Sequence, residues 1–139
     1  MLDRLLRLRF WLVLCCLTVS VSCQAFATIN RNDLPGIYQG HAPAADAARR
    51  QFTLNLKTDG TAVLTTLFIG KGRASERGRW SLSGRQITLS FDPIGPNGPP
   101  RPITFRYHHR KLSPVTWDTG EWGSAGPPVL SRSYAQAGY

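Results

Sequence analysis

Hydrophobic and polar residues alternate in short runs along most of the chain. Gln51 to Lys57 alternates strictly, placing Phe52, Leu54 and Leu56 on one face. A period of two is the pattern of a half-buried strand. Thr58-Asp59-Gly60 follows as a turn, since Asp-Gly tolerates the positive φ of hairpin loops. Thr61 to Ile69 is β-branched and apolar on both faces. Leu64, Thr66 and Phe68 share one face, and Val63, Thr65, Leu67 and Ile69 the other. That pattern suits a strand covered on both sides, or a lip contacting something else.

Gly70 to Ser75 is expected to be a loop. Glu76 to Leu82 resumes the alternation with Gly78, Trp80 and Leu82 inward, and Ser83-Gly84 turns the chain. Gln86 to Phe91 points Ile87, Leu89 and Phe91 inward. Asp92 to Arg101 holds four Pro and two Gly, so it predicts an irregular loop. Ile103, Phe105 and Tyr107 alternate again. Leu112 to Trp117 is a weaker strand whose Pro114 suits an edge or a bulge. Leu34 to Gly40 offers a first strand, and Pro127 to Arg132 a last one. Ala42 to Arg50, rich in Ala, is the one helix candidate, and nine residues are marginal for a helix alone. The pattern predicts an all-β fold: a small lipocalin-like antiparallel meander barrel of 7–8 strands. A strongly twisted sandwich is the structural alternative.

The first residues follow a different rule. Met1 to Arg9 carries Arg4, Arg7 and Arg9 against Asp3, and Phe10 to Val21 is free of charge. A basic start, a short apolar stretch and the small-x-small end Ala25-Phe26-Ala27 form a secretory signal. The apolar stretch is short for a membrane anchor, the competing reading. Cleavage after Ala27 competes with lipoprotein processing before Cys23, which would acylate that residue. Ser20-Val21-Ser22-Cys23 resembles a bacterial lipobox at Val21 and Ser22 but departs from it at Ser20, where Leu is usual. The expected organisation is a signal peptide over 1–27, a β-barrel domain over 28–132 and a disordered tail over 133–139.

This division changes what composition means. The 139 residues carry 17 Lys and Arg against 8 Asp and Glu, a formal charge of +9. Without the three arginines and one aspartate of the first 27 residues, 14 basic and 7 acidic residues remain, or +7. The three Cys are Cys15, Cys16 and Cys23, all in or beside the signal. A domain beginning at Thr28 has no thiol for a disulfide or a Cys-bound metal, and rests on its hydrophobic core alone.

The phrase Leu34-Pro35-Gly36-Ile37-Tyr38-Gln39-Gly40 opens a wider pattern. It runs on through Pro43-Ala44-Ala45-Asp46-Ala47, Leu54-Asn55-Leu56, Asp59-Gly60-Thr61 and Gly70-Lys71. Arg77-Gly78-Arg79-Trp80-Ser81-Leu82-Ser83-Gly84 and Ile87-Thr88-Leu89 complete it. In order and spacing these residues resemble the N-terminal domain of NlpE-type copper-resistance lipoproteins, well over Leu34 to Phe91 and loosely beyond. The resemblance implies a lipocalin-like barrel in the bacterial cell envelope, in a family associated with envelope stress, surface contact and copper tolerance. That family usually has Pro-Cys-x-x-Cys after its first strand. Here Pro43 is kept, but Ala44 and Ala47 stand where the two Cys would be. A methyl group neither binds soft copper nor forms a disulfide, so those roles do not carry over.

Other candidate chemistry is weaker. His41 and the pair His108-His109 raise a metal site, but adjacent strand residues point to opposite faces and cannot easily share an ion. Basic residues gather at Lys71, Arg73, Arg77, Arg79 and Arg85, and again at Arg101, Arg106, Arg110 and Lys111. Anionic lipid headgroups, lipopolysaccharide or nucleic acid could use them, but a solvated, Arg-rich barrel exterior accounts for them best. Trp117 and Trp122 flank Asp118-Thr119-Gly120-Glu121, either as a sugar or lipid contact or as packing across a barrel end. Asp118 and Glu121 could pair as carboxylates, but the signatures of known enzyme classes are missing from the sequence.

The expectation is a non-catalytic exported envelope protein without cofactor, metal or nucleic acid, monomeric, acting on an unknown envelope protein or lipid. Its location would be the periplasm or, with lipid on Cys23, the periplasmic face of the outer membrane. The candidate binding loops are those of Pro43, Ala44, Asp46 and Ala47 and of Lys71 and Arg73. A carrier holding a small apolar ligand or lipid inside the barrel is the alternative.

Overall fold

The computed structural model describes residues 28–42 and 49–134. Eight strands follow one another: β1 (Gly36–Ala42), β2 (Arg50–Leu56), β3 (Thr61–Phe68), β4 (Gly72–Ser83), β5 (Gln86–Phe91), β6 (Arg101–His108), β7 (Lys111–Thr116) and β8 (Leu130–Arg132). Each pairs antiparallel with the next, and β8 returns to β1, closing the barrel. A 3-10 turn at Arg31–Asp33 precedes β1, and a one-turn helix α1 (Thr119–Trp122) lies between β7 and β8.

Antiparallel order sorts the connections onto two ends. The turns β2–β3, β4–β5 and β6–β7, with the chain's entry to β1 and its exit from β8, share what we term the turn end. The connections β1–β2, β3–β4, β5–β6 and β7–β8 share the loop end.

The alternation seen in the sequence is the burial pattern. Tyr38, Phe52, Leu54, Leu64, Trp80, Ile87, Leu89, Ile103 and Phe105 point inward and are buried. Each buried aliphatic of this kind contributes about 1.5–3 kcal/mol. Trp80 seals the turn end, its indole N–H donating to the Lys57 carbonyl at 2.8 Å. Trp122 lies against Phe52 at the loop end, with ring centroids 5.4 Å apart. Between them the interior retains a cavity of only about 10 Å³. That is room for one water molecule at most. The core is filled, and the expectation of an internally held ligand is not met.

The opening phrase of the sequence builds the closure. The Tyr38 hydroxyl donates to the Leu34 carbonyl. Arg132 donates to the carbonyls of Asp33 and Pro35, each at 2.6 Å. A Cβ on Gly40 would sit 2.6 Å from the Val129 carbonyl oxygen and 2.7 Å from a Leu130 methyl. Glycine there lets β8 reach β1.

Several expectations change. The first strand is Gly36–Ala42 rather than Leu34 to Gly40. The helix candidate is bounded by strand, since Ala42 ends β1, Arg50 begins β2, and the two are register partners. The rest of it, residues 43–48, lies outside the described residues. The loop after β3 is only Ile69 to Lys71, because β4 starts at Gly72 and pairs Arg73 with Leu67 and Ser75 with Thr65. Leu67 and Ile69 are 37% and 54% exposed, so the apolar outer face of β3 ends in a lip, not under a second layer. Pro114 does mark a bulge: Thr104 faces Thr116 while Phe105 faces Pro114. The last strand shrinks to three residues, since Pro127 and Pro128 have no N–H to give a ladder. Beyond it Ser133 still donates to the Ile37 carbonyl at 2.8 Å, so the closure runs past Arg132. Residues 135–139 of the expected tail lie outside the described residues.

Candidate functional site

The loop end gathers the chemistry that the filled interior lacks. Phe52, from β2, and Trp122, from the β7–β8 connection, meet at the mouth and pack against the core. On one side of the pair opens a cleft of about 340 Å³, lined by His41, Arg50, Pro127, Pro128 and Val129. On the other lies a shallower cleft of about 180 Å³, reaching Thr66, Phe68, Glu76 and Glu121. Arg50 borders both. Its guanidinium lies 5.4 Å from the centre of the Phe68 ring, a cation–π contact.

Among the described residues three buried donors at this end have no hydrogen-bond partner, one of them Nε of Arg101. Nε of Arg50 and the indole Nε1 of Trp122 are both buried and make no hydrogen bond. A buried donor left unpaired costs about 1–3 kcal/mol. Apolar contact in the cleft is available from Phe52, Pro127 and Val129.

The acids at this end are committed elsewhere. Arg101, whose side chain is 13% exposed, pairs with Glu76 at 2.7 Å and Glu121 at 2.8 Å and donates to the Asp92 carbonyl at 3.1 Å. Burial works against the Arg101 charge, yet the hydrogen bond and charge of Glu76, followed by those of Glu121, outweigh it and raise the guanidinium pKa. Glu121 moves the other way for a paired acid. Its pKa is raised, because burial, assisted by Glu76 and Asp118, exceeds the pull of Arg101. One guanidinium shared by two carboxylates leaves each incompletely compensated. Asp118 caps α1 by accepting from the Gly120 amide at 2.7 Å. The carboxylate pair suggested by the sequence is therefore one helix cap and one ion-pair partner.

The candidate binding residues are brought partly together. Pro43, Ala44, Asp46 and Ala47 lie outside the described residues, but their segment leaves from Ala42 and returns at Arg49, beside the larger cleft. Lys71 stands in the β3–β4 turn at the same end. Arg73 lies in β4, not in a loop, and is exposed. Cys23 lies outside the described residues. Trp122 reads from sequence as a sugar or lipid contact or as packing at a barrel end; Arg50 and Phe52 do not stand out there, because Phe52 fits the alternation of a barrel core and Arg50 resembles any surface cation.

The histidines divide between the ends. His41 closes β1 at the loop end, while His108 and His109 sit at the β6–β7 turn. The premise that adjacent residues point apart fails for the pair. His109 leaves the strand with φ +46°, and its ring lies 3.8 Å from that of His108. Among the described residues no three His, Cys, Asp or Glu side chains cluster as metal ligands.

Residues 38–97 match the family model of the NlpE N-terminal domain. They run from the middle of β1 through β5 into the loop before β6. No curated protein matches the chain. Among solved structures, the chain is similar to the crystal structure of the Cpx pathway activator NlpE from Escherichia coli. The identity is 19% and the TM-score 0.49, with 76% of this chain and 50% of that one covered. The chain thus spans about half the length of that protein.

Proposed function

We propose that this chain, which carries an NlpE N-terminal-type domain over residues 38–97, is a non-catalytic exported protein of the bacterial cell envelope that binds another envelope component through its loop end. The observation that carries the reading is the pairing of a filled interior with an open mouth. A cavity of about 10 Å³ holds no ligand, whereas Arg50, Phe52 and Trp122 line a cleft of about 340 Å³ at the mouth. A rigid barrel presenting loops is a common design for recognition. The engagement of Glu76, Glu121 and Asp118 by Arg101 and a helix cap favours a binding role over acid–base work.

The partner would offer a carboxylate to the Arg50 guanidinium and an apolar group to Phe52 and Trp122. Ala42, Arg49 and the β3–β4 turn with Lys71 would flank it. Signalling of envelope stress or surface contact, as the family resemblance implies, would follow from occupancy of this mouth. Copper and redox chemistry are not part of the proposal, because Ala44 and Ala47 lack thiols. Residues 1–27 would direct export, with Cys23 as the candidate acylation point.

Photo-crosslinking in the intact envelope tests the reading. A crosslinker placed at Arg49 or Val129 is expected to trap one dominant adduct, and Trp122→Ala is expected to abolish it. Equal trapping from Arg49 and from Ser113, on the outer wall, would refute the loop-end assignment.

A further inference from the structure

The two ends of the barrel differ in charge. At the turn end, Arg31, Lys57 and Arg79 surround the β2–β3 turn, and all three are exposed. Exposed Arg85 forms the β4–β5 turn, with Arg106 one strand away. Exposed Arg110 and Lys111 form the β6–β7 turn. Against these seven cations the same end carries two exposed acids, Asp33 and Asp59. Asp59 is already occupied by the amide and hydroxyl of Thr61. Among the described residues, none of these seven cations is in an ion pair; the pairs of Arg101 with Glu76 and Glu121 lie at the loop end. There Arg49, Arg50, Lys71, Arg73, Arg77 and Arg101 stand with Glu76, Asp92, Asp118 and Glu121, an excess of two cations against five at the turn end.

Each turn is tied to a neighbouring strand at the same end, so the cations share one face of the barrel. The Arg31 guanidinium stacks over Trp80 at 4.9 Å, beneath the β2–β3 turn. Tyr107 donates its amide to the Arg85 carbonyl, and Arg132 its amide to the Arg110 carbonyl. Such a patch attracts a plane of negative charge, and each basic residue near an anionic bilayer adds to the attraction. The chain also enters the barrel here: Thr28 precedes the 3-10 turn that leads into β1. Cys23 is five residues before Thr28, so a lipid on it would lie within roughly 18 Å of this end at full extension.

We propose that the turn end is a docking surface for the phosphate-bearing face of an anionic membrane, on which the barrel stands with its loop end pointing away. The geometry then gives the two ends separate tasks: the turn end meets lipid, and the mouth around Trp122 meets the partner. The inference shares with the proposed function only the exported location. Crosslinking at the mouth does not read lipid docking, so either can fail alone.

The protein recovered from the envelope as Cys23→Ser, free of any acyl chain, is mixed with vesicles of phosphatidylcholine with or without phosphatidylglycerol. We expect sedimentation with the anionic vesicles only. Lys57→Glu/Arg85→Glu/Lys111→Glu, all on exposed side chains, is expected to weaken binding about tenfold or more. Arg49→Glu/Lys71→Glu/Arg73→Glu makes the same change in net charge at the loop end and is expected to leave binding essentially intact. Equal losses from the two triple variants would overturn the proposal, since net charge alone would then explain binding. So would binding indifferent to phosphatidylglycerol, or release of the protein by inorganic phosphate at constant ionic strength.

Discussion

The hydroxyl of Tyr38 donates a 2.7 Å hydrogen bond to the carbonyl of Leu34, four residues earlier, and both residues are fully buried. The bond ties the segment entering the barrel to the first strand. Tyr38→Phe leaves a buried carbonyl without its donor, at a cost of about 1–3 kcal/mol. A lower urea midpoint with unchanged m-value is the expected result.

The same residue predicts an alkaline limit. Burial pushes the Tyr38 pKa up to about 12, only partly offset by Arg132. The folded pKa exceeds the unfolded one, so the fold favours the neutral phenol. Its contribution is complete below about pH 10 and is lost as pH rises toward about 12, by roughly 2–3 kcal/mol in all. Denaturation at about pH 9 and about pH 11 should show roughly half of this loss, and Tyr38→Phe should remove most of it.

Gly40→Ala tests the seam between β1 and β8. The added methyl meets the Val129 carbonyl oxygen at 2.6 Å and a Leu130 methyl at 2.7 Å, so the backbone of β8 must shift. A loss of about 1–3 kcal/mol is expected. Amide exchange should locate the damage, with Ser133, which donates to Ile37, exchanging faster than the β2–β3 amides.

Arg101→Met removes the cation shared by Glu76 and Glu121. The Glu121 pKa, already raised by burial, should rise further once the guanidinium is gone. A raised carboxyl pKa favours the protonated fold, so the variant should lose stability as pH increases through that pKa. Carboxyl chemical shifts followed through a pH titration check the direction. Adding Glu121→Gln should return part of the stability at neutral pH.

Most of the barrel was legible because its strands obey one rule. Phe52, Leu54 and Leu56, and later Ile87, Leu89 and Phe91, fall on every second position and are buried as that spacing requires. The start of β4 was hidden because Arg73, Ala74 and Ser75 have little β preference; the pairing of these residues with β3 holds them in strand. His109 misled for a related reason, since its positive φ is set by a turn that nothing in His-His-Arg-Lys announces. The mouth was illegible because it depends on contacts across the barrel. Phe52 and Trp122 are 70 positions apart, and Arg50 looks like any other surface cation until both are in place. The charge difference between the ends was likewise scattered in sequence, and only the antiparallel order collects Lys57, Arg85 and Lys111 on one end.

The three-residue strand that completes the barrel has a consequence for how the protein is made. Tyr38 is among the first residues of the fold to be synthesised, and its register partner Arg132 is among the last. Every other strand can find a neighbour from the adjoining stretch of chain, but β1 keeps one edge unpaired until β8 has emerged. Closing so long a loop is slow relative to forming hairpins. Until then the chain has an open edge, and a molecule broken off before Arg132 is left with a sticky edge that marks it as unfinished.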